Sequence, residues 1–218
     1  MLTLLRVDAS PRDARSRSRA LTAQFENQWR TRHPDGRVVM RDIARDPPPF
    51  VSEAWMEGAF ASADVRSPAA LDALAISDGY VNEVLCADHI VIGTPMYNFG
   101  CPAVLKAWVD QVVRVNRTVR IVGGGFAGLA TGTSVSVLVA CSGDPRPTTR
   151  GAATNFLEPY LRSVLAFIGI DDVDFVYAHS QNPMTVDDAQ MHADRALSEA
   201  RATIEQLVAR TAERCHRR

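Results

Sequence analysis

Lysine is nearly absent from this chain: of its 24 basic residues only Lys106 is a lysine, and the rest are arginine. We read that usage as genome composition rather than as a phosphate-binding patch. Neither sign of charge dominates, since the formal net charge is −1 over 218 residues. No global field therefore draws the chain to nucleic acid or to an anionic membrane. Cysteine is scarce and scattered, at Cys86, Cys101, Cys141 and Cys215. There is no C-x-x-C and no Cys/His pair at zinc spacing, which speaks against a disulfide framework and against a bound metal. Free thiols in a reducing cytoplasm are the expectation. His33, His89, His179, His192 and His216 form no metal spacing either, and surface or packing roles are expected of each. No apolar run reaches the roughly 20 residues of a membrane span, and the opening "MLTLLRVDAS" meets charge too early for a signal peptide. No repeat or low-complexity segment interrupts the chain; the nearest thing to a linker is "RDPPPF". One domain over residues 1–218 is expected.

What the chain does have is alternation. "LTLLRV" reads as a buried strand, and "RVVMRDI" as a short second one. "DHIVIGTP", Asp88 to Pro95, is the strongest: a continuous β-branched run, as expected of a parallel strand covered on both faces. "TSVSVLVACSG" and "DDVDFVYA" follow as the fourth and fifth strands. Between them, "SRALTAQFENQW", Ala69 to Ala87, "PAVLKAWVDQVVRV" and "TNFLEPYLRSVLAFIGI" carry apolar residues at helical spacing, the last with an internal Pro159. "TVDDAQMHADRALSEARATIEQLVART" is a long final helix opened by a Thr185 cap. Asp46 to Pro68 reads as irregular, with a short helix near Trp55. The pattern predicts a doubly wound α/β fold: a five-stranded parallel sheet in the order 2-1-3-4-5 with helices on both faces.

"RIVGGGFAGLATG", Arg120 to Gly132, spells G-x-G-x-x-G at Gly123, Gly125 and Gly128. A dinucleotide loop needs a helix directly after the glycines, whose N-terminus takes the pyrophosphate. Here the next strand begins near Ser134, which leaves no room for a crossover helix. A glycine-rich hairpin between Thr118 and Gly132, inserted before strand 4, is expected instead. On that reading Gly125→Ala should disturb folding or pocket shape more than it touches a bound phosphate.

Ligands of such a sheet sit beyond the carboxyl ends of strands near the reversal in strand order. That points to the loops after strands 1, 3 and 4. In "DASPRDARSRS", Ser10, Ser16 and Ser18 offer hydroxyls, Ser16 to Arg19 offer N–H groups at a helix start, and Arg17 adds charge: an anion cradle suited to a phosphate. "TPMYNFGCP" puts Met96, Tyr97, Asn98 and Phe99 at the end of the most buried strand, either to stack on a flat ring or to plug the core. "ACSGD" supplies small residues, with Cys141 read as a buried thiol rather than a nucleophile.

"PMYNF" followed by P-x-x-L-K-x-W-x-D-x-V, the S-P-R-x-x-x-S-x-S of the first loop, and "PYL…FIGI" at Pro159 to Ile170 closely resemble the FMN-dependent NADH:azoreductase and NAD(P)H:quinone reductase family. The resemblance runs nearly end to end and implies a flavodoxin-like fold and bound FMN. It implies that Ser10, Ser16, Arg17 and Ser18 hold the phosphate. Pro95, Met96, Tyr97, Asn98 and Phe99 would then line the isoalloxazine, with Cys141, Ser142, Gly143 and Asp144 beside its edge. The family's strand-4 loop is commonly Ser-Arg-Gly-Gly, whereas this chain has Cys-Ser-Gly-Asp and a lengthened "PRPTTRGAA" after it. Gly100-Cys101 is a further local variation.

The resemblance implies an oxidoreductase working by two-electron ping-pong hydride transfer from NADH or NADPH to a quinone or azo compound. No protein acid/base residue is demanded, because the flavin carries the chemistry. It further implies a cytoplasmic homodimer with FMN at the interface. Two other readings stand beside it: a flavin-binding electron-transfer or regulatory module without NAD(P)H turnover, and a Ser or Cys hydrolase, although G-x-S-x-G is absent.

Overall fold

A computed structural model describes residues 1–146, 149–180 and 189–215. Five parallel strands form the main sheet: β1 (Thr3–Asp8), β2 (Arg37–Asp42), β3 (His89–Pro95), β6 (Ser134–Ala140) and β7 (Val173–Ala178). Their order is β2-β1-β3-β6-β7. With the hairpin strands β4 (Val119–Val122) and β5 (Gly125–Gly128) set aside in their own antiparallel pair, that order is the expected 2-1-3-4-5. Every residue of β3 is buried, as the unbroken apolar run requires of a central strand.

Side chains alternate across the sheet with the two-residue period of a strand. Leu4, Val91 and Leu138 face α1 (Arg17–Arg32) and α6 (Ala189–Cys215), meeting Leu21, Phe25, Trp29, Leu197 and Ile204. Leu5, Val7, Ile90, Ile92 and Val137 face α3 (Pro68–Leu85), α4 (Ala103–Val112) and α5 (Leu157–Phe167). Each fully buried Leu or Ile in these layers contributes about 1.5–3 kcal/mol.

Serines start three of the helices. Ser16, Ser52 and Ser67 accept from the backbone N–H three residues on at α1, α2 (Glu53–Phe60) and α3, and Pro68 follows Ser67 at the first helical position. The short helix near Trp55 is α2, fastened where the Trp55 indole N–H donates to Gln111 Oε1 of α4 at 2.8 Å. Pro159 differs from its expectation. α5 begins at Leu157, so Pro159 lies in the first turn, where its missing N–H has no helical partner to lose. Thr185 lies outside the described residues. Among the described residues no helix is long and apolar enough to cross a membrane.

The glycine motif is a hairpin. Gly123 and Gly124, at φ 56° and 81°, make its turn. At Gly125 a Cβ would come no closer than 3.8 Å to Val122 O, so the space is open. The constrained position is Gly128, where a Cβ would fall 2.1 Å from Gly169 N just after α5.

Candidate functional site

The parallel register places Asp8 beside Gly93 and Pro95 beside Ala140, so the loops after β1, β3 and β6 emerge together at one edge. A cavity of about 480 Å3 opens between them. Ser10, Ser16, Arg17 and Ser18 line it from the first loop, Pro95, Met96 and Tyr97 from the second, and Cys141 and Ser142 from the third. A second cavity of about 250 Å3 takes Asn98, Phe99 and Gly143 and shares Met96, Cys141 and Ser142 with the first. The two therefore form one trough with a polar, cationic end and an aromatic end.

The polar end is built by local bonding. Ser10, Ser16 and Ser18 are all buried. Ser16 Oγ accepts from Arg19 N and lies 3.3 Å from Ser18 Oγ, while Ser10 Oγ accepts from Arg12 N at 3.3 Å. The amides of Arg17 and Ser18 open α1, where no helical carbonyl is available to them. Close approach of this helix start to the sheet depends on Gly93. A Cβ there would stand 2.6 Å from Thr22 Cγ2, 2.9 Å from Asp8 Oδ1 and 3.1 Å from Ser18 O. Asp13, the carboxylate inside the loop, is drawn outward to Arg45 at 2.6 Å. Arg12, Arg15 and Arg17 are thus left without a carboxylate partner among the described residues. Hydroxyls, amides and unpaired guanidiniums are the donor set of a phosphate dianion.

The aromatic end is a tight turn. Tyr97 and Gly100 exchange backbone hydrogen bonds at 3.1 and 3.0 Å across Asn98 (φ 46°) and Phe99 (φ 70°). Two consecutive positive φ values are the geometry of a primed hairpin turn, which asparagine accepts and phenylalanine resists. The turn holds both rings out: Tyr97 is 43% and Phe99 56% exposed, so they do not plug the core. It is anchored where Met96 N donates to Ala140 O at 2.9 Å and Phe156 N to Phe99 O at 3.0 Å.

On the third side Cys141 is buried, and its thiol donates to Gly143 O at 3.1 Å. Burial, with the nearby Asp144 charge, pushes this thiol up to about 12, out of range for a nucleophile at neutral pH. Asp144 lines neither cavity. Its carboxylate turns to Arg146 at 2.6 Å and lies 3.9 Å from His179 Nε2, and hydrogen bonds from Arg146 hold it below its ordinary range. Gly151 lets the following loop fold back, since a Cβ there would meet Asp144 O at 2.2 Å. His89 is a packing residue, buried between Ser134 Oγ and Ser136 Oγ and stacked on Phe25. No cluster of three or more metal-ligating side chains occurs among the described residues.

Sequence reasoning missed Arg12 and Arg15, although both lie in the quoted loop, and also Gln190, Ala193 and Thr154. Gln190 and Ala193 reach the cavity because the final helix packs beside α1, where Gln24 Nε2 donates to Arg201 O, 177 residues on, a contact that leaves no local signal.

Comparisons with known proteins agree with this fold. The model of the family described as having a flavodoxin-like fold matches residues 2–204. A protein of Nostoc punctiforme named FMN-dependent NADH:quinone oxidoreductase is 42% identical over 209 residues, covering 96% of this chain and 99% of its own. One of the same name from Xanthobacter autotrophicus is 45% identical over 175 residues, 80% of this chain and 84% of its own. The crystal structure of azoreductase from Bacillus anthracis superposes with a TM-score of 0.83 at 26% identity, covering 94% of this chain and 100% of that one.

Proposed function

This chain belongs to the family with the flavodoxin-like fold, and on that premise we propose that it is an FMN-dependent NADH:quinone oxidoreductase that also reduces azo compounds. The observation that carries the reading is the single trough, with a phosphate-type donor set at one end and exposed aromatics at the other. Ser10, Ser16 and Ser18 hydroxyls, the Arg17 and Ser18 amides and the neighbouring guanidiniums would hold the FMN phosphate. Pro95, Met96, Tyr97 and Phe99 would line the ring system, with Asn98 donating to or accepting from its polar rim. Cys141, Ser142 and Gly143 would present small groups beside its edge, and Asp144 would hold that loop through Arg146 rather than touch the ligand. FMN bound there supplies a two-electron redox centre serving NADH and the acceptor in turn. The chain's own work is to bind, orient and exclude water, so no acid/base dyad is required of it.

We further take residues 1–218 as one flavin-binding domain acting in the cytoplasm as a homodimer, with FMN at the subunit interface. Support for the dimer comes from exposed apolar side chains on the hairpin and beside the trough: Ile121, Val122, Phe126, Phe156 and Phe167. The test is an anaerobic titration of the FMN-loaded protein with NADH and, separately, NADPH, followed by quinones and azo dyes. Bleaching of the flavin absorbance by a nicotinamide and its recovery on adding acceptor is expected. A protein that takes up no FMN, or holds FMN that neither nicotinamide reduces, overturns the reading.

A further inference from the structure

Behind the phosphate-type cradle lies an arginine that faces away from it. Arg19, in the first turn of α1, lines neither cavity, and its side chain is 12% exposed. Its guanidinium uses both edges. Nε and Nη2 donate to the carbonyl oxygen of Ser10 at 3.0 and 2.6 Å. Nη1 and Nη2 donate to the two carboxylate oxygens of Asp42 at 2.6 and 2.7 Å. Its backbone N–H meanwhile donates to Ser16 Oγ. One residue is thus bonded to two of the three cradle serines. Asp42, the last residue of the edge strand β2, is itself fixed by the amides of Ala44 and Arg45 at 3.3 and 3.1 Å.

An anion site fails if a carbonyl oxygen turns into it, because the lone pairs repel the charge that the neighbouring N–H groups attract. Ser10 itself lines the cavity, and Arg19, which does not, engages its one carbonyl and so holds that oxygen away from the cradle. The task needs a planar fork of fixed shape. Lysine, a point charge with three rotatable donors, cannot bond Ser10 O and both Asp42 oxygens in one plane. We propose that Arg19, braced by Asp42, is a positioning residue that sets the preference of this site for phosphorylated over unphosphorylated flavin. The inference rests on the FMN reading and adds to it a selectivity device lying outside the ligand's reach.

The test uses the full chain in apo form, titrated with FMN and with riboflavin by flavin fluorescence quenching, for wild type, Arg19→Lys and Asp42→Asn. Loss of a charge-assisted bond of this kind is expected to raise the FMN dissociation constant about 10- to 100-fold. Riboflavin affinity should stay within about twofold, so the FMN-to-riboflavin preference collapses. A merely structural role would weaken both flavins together, and that result, or an unchanged preference, overturns the inference. Asp42→Asn keeps the size of the side chain at an edge strand and supplies the measurement if Arg19→Lys does not fold. Wild type that binds neither flavin would instead sink the functional reading and this inference with it.

Discussion

Gly128 and Gly169 pass each other backbone to backbone: a Cβ on Gly128 would sit 2.1 Å from Gly169 N and 2.2 Å from Ile168 C. Ala130 N reinforces the crossing by donating to Ile168 O at 2.8 Å. The last glycine of the G-x-G-x-x-G spelling therefore serves the packing of the hairpin against the end of α5, not a nucleotide. Gly128→Ala should cost about 1–3 kcal/mol, as overpacked sites do, roughly 2–4 °C of Tm for each kcal/mol in a chain of this size. Gly125→Ala, with open space around it, should shift Tm by less than about 1 °C. Thermal denaturation of both apo variants checks the contrast, and equal shifts would refute it.

Backbone strain sits in the aromatic turn. Phe99 at φ 70° holds a conformation that costs a non-glycine residue about 1–2 kcal/mol. Phe99→Gly should therefore stabilise the apo protein by up to about 1 kcal/mol while weakening flavin binding, because the ring that faces the trough is gone. Urea denaturation and FMN titration of the same preparation read the two effects. A variant that is less stable yet binds FMN normally would contradict both halves.

Cys141 should be chemically silent. Its thiol is pushed up to about 12 by burial, so the thiolate that reacts is scarce at neutral pH. With iodoacetamide at pH 7.5, exposed Cys86 should be alkylated while Cys141 stays intact. Peptide mass spectrometry of the folded protein decides it, and labelling of Cys141 at the rate of an exposed thiol would reopen the hydrolase reading.

The brace behind the cradle predicts an acid limit. Burial alone would raise the Asp42 carboxyl, but the Arg19 hydrogen bonds, the Arg45 amide and the Arg19 charge hold it below its ordinary value. A carboxyl depressed on folding stabilises fully above its unfolded value, about 3.9, and loses that contribution as pH falls through the folded one. The stability difference between wild type and Asp42→Asn should stay constant from pH 7 to about 5 and shrink below about 4. Asp8 has the opposite sign, because its burial outweighs Thr22, Arg6 and Arg19 and raises it. Its contribution therefore fades as pH rises from the unfolded value through the folded one. Urea denaturation across this range separates the two, and a difference that grows on acidification would contradict the assignment to Asp42.

The strands were legible because burial on both faces demands unbroken apolar runs, and "HIVIGTP" can hardly be anything else. α2 was only partly legible: eight residues after a proline-rich stretch carry too few turns for a clear period, and its anchor, Gln111, is supplied by another helix. The cradle serines could be read because a phosphate site is written locally, in one loop and one helix start. Arg19 could not, since its meaning depends on Asp42 across the β1–β2 pair.

By itself, then, the sequence determined the parallel sheet, its order, the hairpin and the three loops that bear ligand-type residues, because hydrophobic period, turn residues and helix caps act over a few neighbours. Only the tertiary structure decided that the loops after β1, β3 and β6 share one trough, that Asp144 turns from it to Arg146, that Gln190 and Ala193 reach it from the far end of the chain, and that Gly128 rather than Gly125 is the sterically constrained glycine. Those relations are set by the approach of segments distant in sequence, and steric exclusion and charge pairing between them act only once the layers have closed.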